Sequence, residues 1–216
     1  MKDTDYKNII AKILIDIGSV KFSFKDPFTL TSGKKSPVYV DCRKIISFVK
    51  ERNLVLDYAI NYLKHNNIDF DILAGGETAG IPYSAFLAER ISKPMIYIRK
   101  KPKGFGNDQQ IEGFFNQGDK AILIEDLATD GGSKINFIQA LRNNNLKVSD
   151  ILVIFFYNIF DISKTPLGKM NVRIHSLCTW KNIFNVISNN KNYNEKDVDN
   201  LKDFLFDPEK WRKNNE

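Results

Sequence analysis

The sequence predicts an α/β fold: a central, mostly parallel sheet flanked by helices, with a small N-terminal hood subdomain. Three observations predict it. Short apolar runs, Ala121–Ile124 and Ile151–Tyr157 above all, read as strands buried on both faces, as parallel strands are. Apolar residues at helical spacing, such as Ile135, Ile138 and Leu141, follow the first of them. Two strand-to-helix junctions, Gly76–Pro82 and Thr129–Ser133, are polar and glycine-containing, and open α/β sheets bind ligands at such junctions.

Taken in order, residues 4–17 form an amphipathic helix, with Thr4 as N-cap, Ile9, Ile10, Ile13 and Leu14 as its apolar stripe, and Gly18 as its stop. Lys21–Arg43 alternates and turns, with Phe22, Phe24, Pro27, Phe28–Gly33 and Val38–Val40, and reads as the short strands of the hood. Phe48–His65 is a second helix whose apolar positions include Val49, Leu54, Leu56, Ile60 and Leu63. Asp71–Gly75 is a strand opening into Gly76–Pro82, and Tyr83–Ile91 is helical. Pro94–Lys100 is a strand ending in a basic cluster of Arg99, Lys100, Lys101 and Lys103. The polar, aperiodic segment 104–110 after it has the character of a mobile lid or of a solvated hairpin rim. Val172–Cys178 is a last strand, and Trp180–Ser188 and Glu195–Phe206 are helices, with Trp180 and Trp211 read as packing residues. The expected division is residues 1–45 as helix and hood, and 46–216 as a core that includes the C-terminal helices.

Composition narrows the function. A chain of 216 residues with 43% hydrophobic and 27% charged content has the make-up of a globular protein with one sizeable core. It contains no apolar run of membrane-spanning length, and its first residues lack the apolar core of a secretory signal. Two cysteines make no disulfide framework, so a reducing cytoplasm is expected. With two histidines besides, no transition-metal cluster is expected from Cys and His spacing. The net charge of +6 favours anionic partners, nucleic acid or a multiply phosphorylated small molecule. Neither end carries a DNA-reading module, so no nucleic-acid partner is expected.

The chemistry concentrates in Ala121–Ser133. Glu125 and Asp126 sit where the strand is expected to end, as acceptor-only groups suited to a vicinal sugar diol. Thr129–Ser133 offers backbone N–H groups and two hydroxyls at a helix start, suited to a phosphate monoester. Gly131 and Gly132 let the backbone close around an anion. A diol and a phosphate together describe a ribose 5-phosphate. The competing reading is an ordinary strand–turn–helix with a surface acidic pair. Gly76–Pro82 is a second anion-binding concavity, or simply a tight turn. Lys34 and Lys35 either face an anion or are solvated turn lysines.

Glu125-Asp-Leu-Ala-Thr-Asp-Gly-Gly-Ser133 resembles the 5-phosphoribosyl 1-diphosphate (PRPP) signature of type I phosphoribosyltransferases, and Phe28–Arg43 is similar to the N-terminal segment of orotate phosphoribosyltransferases. The resemblance covers about Phe28 to Tyr157. It implies transfer of ribose 5-phosphate from PRPP to N1 of orotate, giving orotidine 5′-monophosphate and pyrophosphate, with Mg²⁺ carried by PRPP. It also implies a homodimer whose 100–110 loop reaches the neighbouring site. It places Glu125, Asp126, Leu127, Ala128, Thr129, Asp130, Gly131, Gly132 and Ser133 on PRPP, with the two acids on the 2′ and 3′ hydroxyls and Thr129–Ser133 on the 5-phosphate. Glu77 and Thr78 fall in the pyrophosphate loop, and Arg99, Lys100 and Lys103 supply lid cations. Lys103 and Asp126 are the candidate catalytic residues. Thr129, Lys34, Tyr39 and Arg43 are the candidate orotate contacts.

The chain departs from the family pattern at Thr31, where lysine is common, and at Phe105, where histidine is frequent. It also lacks an arginine in Phe155–Asn158 that commonly contacts orotate, for which Arg43, Lys34 and Lys35 are candidate replacements. Alternative readings are a phosphoribosyltransferase for another base, and a PRPP-sensing regulator that binds nucleic acid.

Overall fold

The structure, a computed structural model, describes residues 3–29, 33–102, 110–129, 132–159, 161–190 and 192–215. In chain order its elements are α1 (Asp3–Asp16), β1 (Val20–Phe22), β2 (Phe28–Thr29), β3 (Lys35–Ser36), β4 (Val38–Val40), α2 (Val49–His65), β5 (Ile72–Gly76), α3 (Gly80–Ile91) and β6 (Met95–Ile98). There follow β7 (Ile111–Glu112), β8 (Lys120–Ala128), α4 (Gly132–Asn143), β9 (Lys147–Phe156), β10 (Arg173–Thr179), α5 (Trp180–Ser188), α6 (Glu195–Phe206) and α7 (Pro208–Asn215). They form two compact units, Met1–Glu51 with Cys178–Glu216, and Arg52–Leu177. Among the described residues no helix is long and apolar enough to cross a membrane.

In the first unit, α1 packs on α5, and its Ile10 and Leu14 are fully buried. Ile9, expected in the stripe, is instead 37% exposed, and the helix already includes Thr4, which is therefore not its cap. Gly18 does end the helix. It adopts φ +65, with its N–H on the Ile15 carbonyl at 2.9 Å and the Ser19 N–H on Leu14 at 2.8 Å. That paired closure satisfies two carbonyls the helix would otherwise leave open. The hood is two antiparallel pairs, β1 with β4 and β2 with β3. Helix α7, too polar for its periodicity to show, pins the second pair. Arg212 donates to the Lys35 carbonyl at 2.9 Å, and Glu209 accepts from Lys34 at 3.0 Å. Trp180 and Trp211 are buried, the latter edge-on to Phe204 at 5.3 Å.

The second unit is built on the six-stranded sheet, in the order β10-β9-β8-β5-β6-β7. The neighbours β5–β6, β5–β8 and β8–β9 are parallel, and β7 closes the edge antiparallel to β6. Strand β7 was not anticipated; two residues are too few for a period to register. Between β8 and β9 the register slips once, so that Ala121 faces Val148 but Ile122 faces Asp150, leaving Ser149 as the extra residue. The core joins Leu123, Ile151 and Val153 of the sheet to Phe137, Ile138 and Leu141 of α4. Helix α2 buries Val55, Leu56, Ala59 and Leu63. Val49 and Leu54, expected to be apolar contacts, are 59% and 38% exposed and lie outside that buried stripe.

Away from the carboxyl ends of the strands, Asp150 accepts two hydrogen bonds from Arg173, at 2.8 and 2.9 Å, and one from His175 Nε2 at 2.6 Å. His175 Nδ1 lies 3.1 Å from the Tyr62 hydroxyl. Burial alone would push the Asp150 carboxyl up, but Arg173 and His175 outweigh it and hold the group below its usual 3.8. A depressed carboxyl pKa stabilises the fold above the unfolded value and loses that contribution as pH falls through the folded one. Asp150→Ala should therefore lower stability by about 2 kcal/mol at neutral pH. The gap from wild type should close in acid, below the usual carboxylate range, as read by thermal unfolding across pH.

Candidate active site

From β5 the chain crosses through α3 to β6 on one side, and later returns to place β8 on the other side of β5. The carboxyl ends of β5 and β8 therefore form a topological switch point, where open α/β sheets hold ligands. The two strands differ in length there. Ile72–Gly75 pair with Ala121–Ile124, but β8 continues to Ala128 along β9 alone, with Leu127 opposite Phe155 and Ala128 opposite Phe156. Glu125 and Asp126 thus lie inside the strand and not at its end, as had been expected, because β9 keeps pairing after β5 has turned away. The Tyr157 N–H donates to the Ala128 carbonyl at 2.9 Å and fixes the end of the strand.

Successive strand residues face opposite sides, and the acid pair has two environments. Asp126 is half-buried. Glu125 is 5% exposed, and its Oε2 lies 2.7 Å from Lys134 Nζ in α4, itself buried. Burial pushes the Glu125 carboxyl up; Lys134 opposes this, Asp126 adds to it, and the net position is above the usual carboxylate range.

The β5–α3 loop packs against Glu125. A Cβ on Gly76 would stand 2.2 Å from Glu125 Oε1, and one on Gly80 would stand 2.2 Å from the Ile124 carbonyl and 2.8 Å from the same Oε1. Within the loop the Glu77–Thr78 peptide is cis. The Glu77 N–H donates to the Ile98 carbonyl at 2.9 Å, and its side chain accepts from the Lys100 N–H at 2.7 Å. The loop is thereby tied to the start of the basic segment. Arg99 and Gln110 close the base of that segment with two hydrogen bonds of 2.8 Å, and the Arg99 guanidinium lies 3.8 Å from Glu112.

The structure thus brings Glu77, Thr78, Arg99, Lys100, Glu125, Asp126, Leu127, Ala128 and Thr129 onto the carboxyl ends of adjacent strands or the loops leaving them. Gly132 and Ser133 open α4. Lys103, Asp130 and Gly131, with Thr31 and Phe105, lie outside the described residues. In the first unit, Lys34 pairs with Glu209, the Tyr39 ring lies 5.9 Å from that of Phe28, and Arg43 pairs with Asp41 at 2.7 Å. Among the described residues no three His, Cys, Asp or Glu side chains assemble a metal site. Single carboxylates such as Asp126 are hard oxygen donors of the kind Mg²⁺ accepts, and they would hold such a cation only together with other oxygens.

Sequence reasoning missed Lys134. Its signal was helical phase: with Phe137, Ile138 and Leu141 it occupies the buried stripe of α4 at i, i+3, i+4 and i+7. A lysine in a core stripe implies a buried partner.

A mostly parallel sheet with a glycine loop and an acid-bearing strand at its switch point defines the class of type I phosphoribosyltransferases. No family model matches the chain. It is 43% identical to the orotate phosphoribosyltransferase of Roseobacter denitrificans over 209 residues, covering 96% of this chain and 93% of the relative. It is 42% identical to that of Ruegeria sp. over 207 residues, covering 95% and 92%. The crystal structure of orotate phosphoribosyltransferase from Aeropyrum pernix superposes with a TM-score of 0.73 at 31% identity, covering 83% of this chain and 98% of that one. The chain belongs to the orotate phosphoribosyltransferase family.

Proposed function

We propose that this chain transfers the 5-phosphoribosyl group of PRPP to N1 of orotate, releasing pyrophosphate and orotidine 5′-monophosphate. One observation carries the reading. Asp126, half-buried in the part of β8 beyond its pairing with β5, stands next to Glu125, which the 76–80 glycine loop approaches, and three residues before Thr129. Asp126 accepts from the ribose hydroxyls, and the backbone at Thr129–Ser133 takes the 5-phosphate. Glu77 and Thr78 hold the diphosphate beside Arg99 and Lys100. Thr129, Lys34, Tyr39 and Arg43 contact orotate.

Breaking the bond at C1 develops positive charge on the ribosyl and negative charge on the leaving group. Holding the base and ribosyl in line contributes up to about 7–11 kcal/mol in favourable cases. Asp126 adds a fixed negative charge near the ribosyl, and Lys100 and Lys103 add positive charge near the pyrophosphate. PRPP would carry Mg²⁺, which a carboxylate such as Asp126 would help to hold and which would supply positive charge against the diphosphate when bound. The enzyme works in the cytoplasm as a homodimer.

An ultraviolet assay with PRPP, Mg²⁺ and a panel of bases tests the assignment. Orotate should be consumed while adenine and hypoxanthine are left unchanged; the reverse outcome assigns another base. Lys103→Ala should lower kcat by about 10²-fold or more. A change confined to KM would make Lys103 a ground-state binder.

A further inference from the structure

We propose that Glu77 is a positioning residue whose carboxylate adds one rung to the β5–β6 ladder. The rung fixes Lys100 against the glycine loop, so that its ammonium meets the diphosphate in a set place. The inference rests on the reading of the site as a PRPP site.

The register of the sheet leads to it. Strands β5 and β6 run parallel, with Gly75 opposite Tyr97 and Gly76 opposite Ile98, and the Glu77 N–H donates to the Ile98 carbonyl at 2.9 Å. A parallel ladder is evenly spaced, so its next hydrogen bond would run from the Lys100 N–H to the Glu77 carbonyl. It runs to the Glu77 side chain instead, with Lys100 N 2.7 Å from Oε2. Strand β5 ends at Gly76, and the carboxylate takes the acceptor place that the strand gives up.

The other edge of β6 belongs to β7. The Arg99 N–H donates to the Gln110 carbonyl, and the Gln110 side-chain amide donates back to the Arg99 carbonyl, both at 2.8 Å. Successive N–H groups of a strand point to opposite edges, so Arg99 is held from the β7 side and Lys100 from the β5 side. The carboxylate suits this task better than contact with substrate. Ionised, it accepts a backbone N–H strongly, whereas beside a diphosphate it meets like charge. The backbone of Glu77 and Thr78 is thus left to the diphosphate, while the Glu77 side chain serves Lys100.

PRPP affinity, measured by calorimetry with Mg²⁺ and no base, is compared for wild type, Glu77→Ala, Glu77→Gln, Lys100→Ala and the double variant Glu77→Ala/Lys100→Ala. Glu77→Ala should weaken binding about tenfold, and Glu77→Gln, whose amide oxygen still accepts the N–H, should recover to within about threefold of wild type. The double variant should bind within about twofold of Lys100→Ala, since placing an ammonium no longer matters once it is gone. Glu77→Gln as weak as Glu77→Ala would mean that the charge itself acts, as in a metal-holding carboxylate. A double variant showing both losses in full would mean that Glu77 acts apart from Lys100, as a merely structural residue does. Either result overturns the proposal.

Amide hydrogen exchange at Lys100, without ligand, reads the rung independently of PRPP. Protection should be lost in Glu77→Ala and kept in Glu77→Gln, and equal exchange in these and wild type overturns the rung. Wild type that binds no PRPP, with the Lys100 amide behaving as expected, overturns the PRPP reading and the role of Lys100 in it while upholding the rung.

Discussion

Asp126→Asn is expected to lower kcat/KM for PRPP by about 10²- to 10³-fold, since an amide keeps the shape but loses the charge and half the acceptors. The argument is local. Asp126 projects from a stretch of β8 that has β9 on one side and, past Ile124, no β5 on the other. Being half-buried, it should contribute little to stability, so the melting temperature should hold while the activity falls. Initial rates over a range of PRPP concentrations check this, and an unaltered rate at both low and saturating PRPP would remove Asp126 from the site.

Gly76→Ala should damage both stability and activity. The added carbon would stand 2.2 Å from Glu125 Oε1 and 2.8 Å from the Phe137 ring, both of them buried. Overpacking of this kind costs about 1–3 kcal/mol, or several degrees of melting temperature. The loop carrying Glu77 and Thr78 would shift with it, so kcat/KM should fall by at least about tenfold. Gly118→Ala is the contrast. That glycine has open space around it but φ +91, so the change should cost about 1 kcal/mol through the backbone and leave the kinetics alone. Equal kinetic losses in both variants would mean that Gly76 matters only for folding.

The sheet was legible because its strands are apolar on both faces: Ile72–Ala74, Ala121–Ile124 and Ile151–Phe156 have no polar side to confuse the period. The acid pair and the glycines after it stand out in the sequence because their order in the chain is itself the chemical pattern. What stayed hidden depended on partners distant in sequence. The strand carrying Glu125 runs four residues longer than its apolar run because β9 goes on pairing with it, which no local pattern records. Helix α7 rests on Arg212 and Glu209 reaching residues of the hood. Lys134 was passed over because a lysine counts as polar in any periodicity, although its phase was that of the core. Ile9 and Val49 erred the other way: apolar side chains are common on protein surfaces, so hydrophobicity alone does not place a residue inside.

The unmatched Ser149 has a consequence for how this enzyme tolerates change. Deleting it would leave Asp150–Phe156 opposite the same residues of β8, because Ser149 faces none of them, and would remove only the local irregularity at Ala121–Ile122. The carboxylates lie about 13 Å further along the neighbouring strand, four residues at about 3.3 Å each. Deleting a matched residue such as Ile151 would instead slide the rest of β9 by one place and strip the acids of their backing ladder while every substrate-facing side chain remained in the sequence. Insertions in the turn before β9 also leave that phase intact, so length variation should be accepted ahead of Lys147 and at Ser149, and refused at the matched positions beyond.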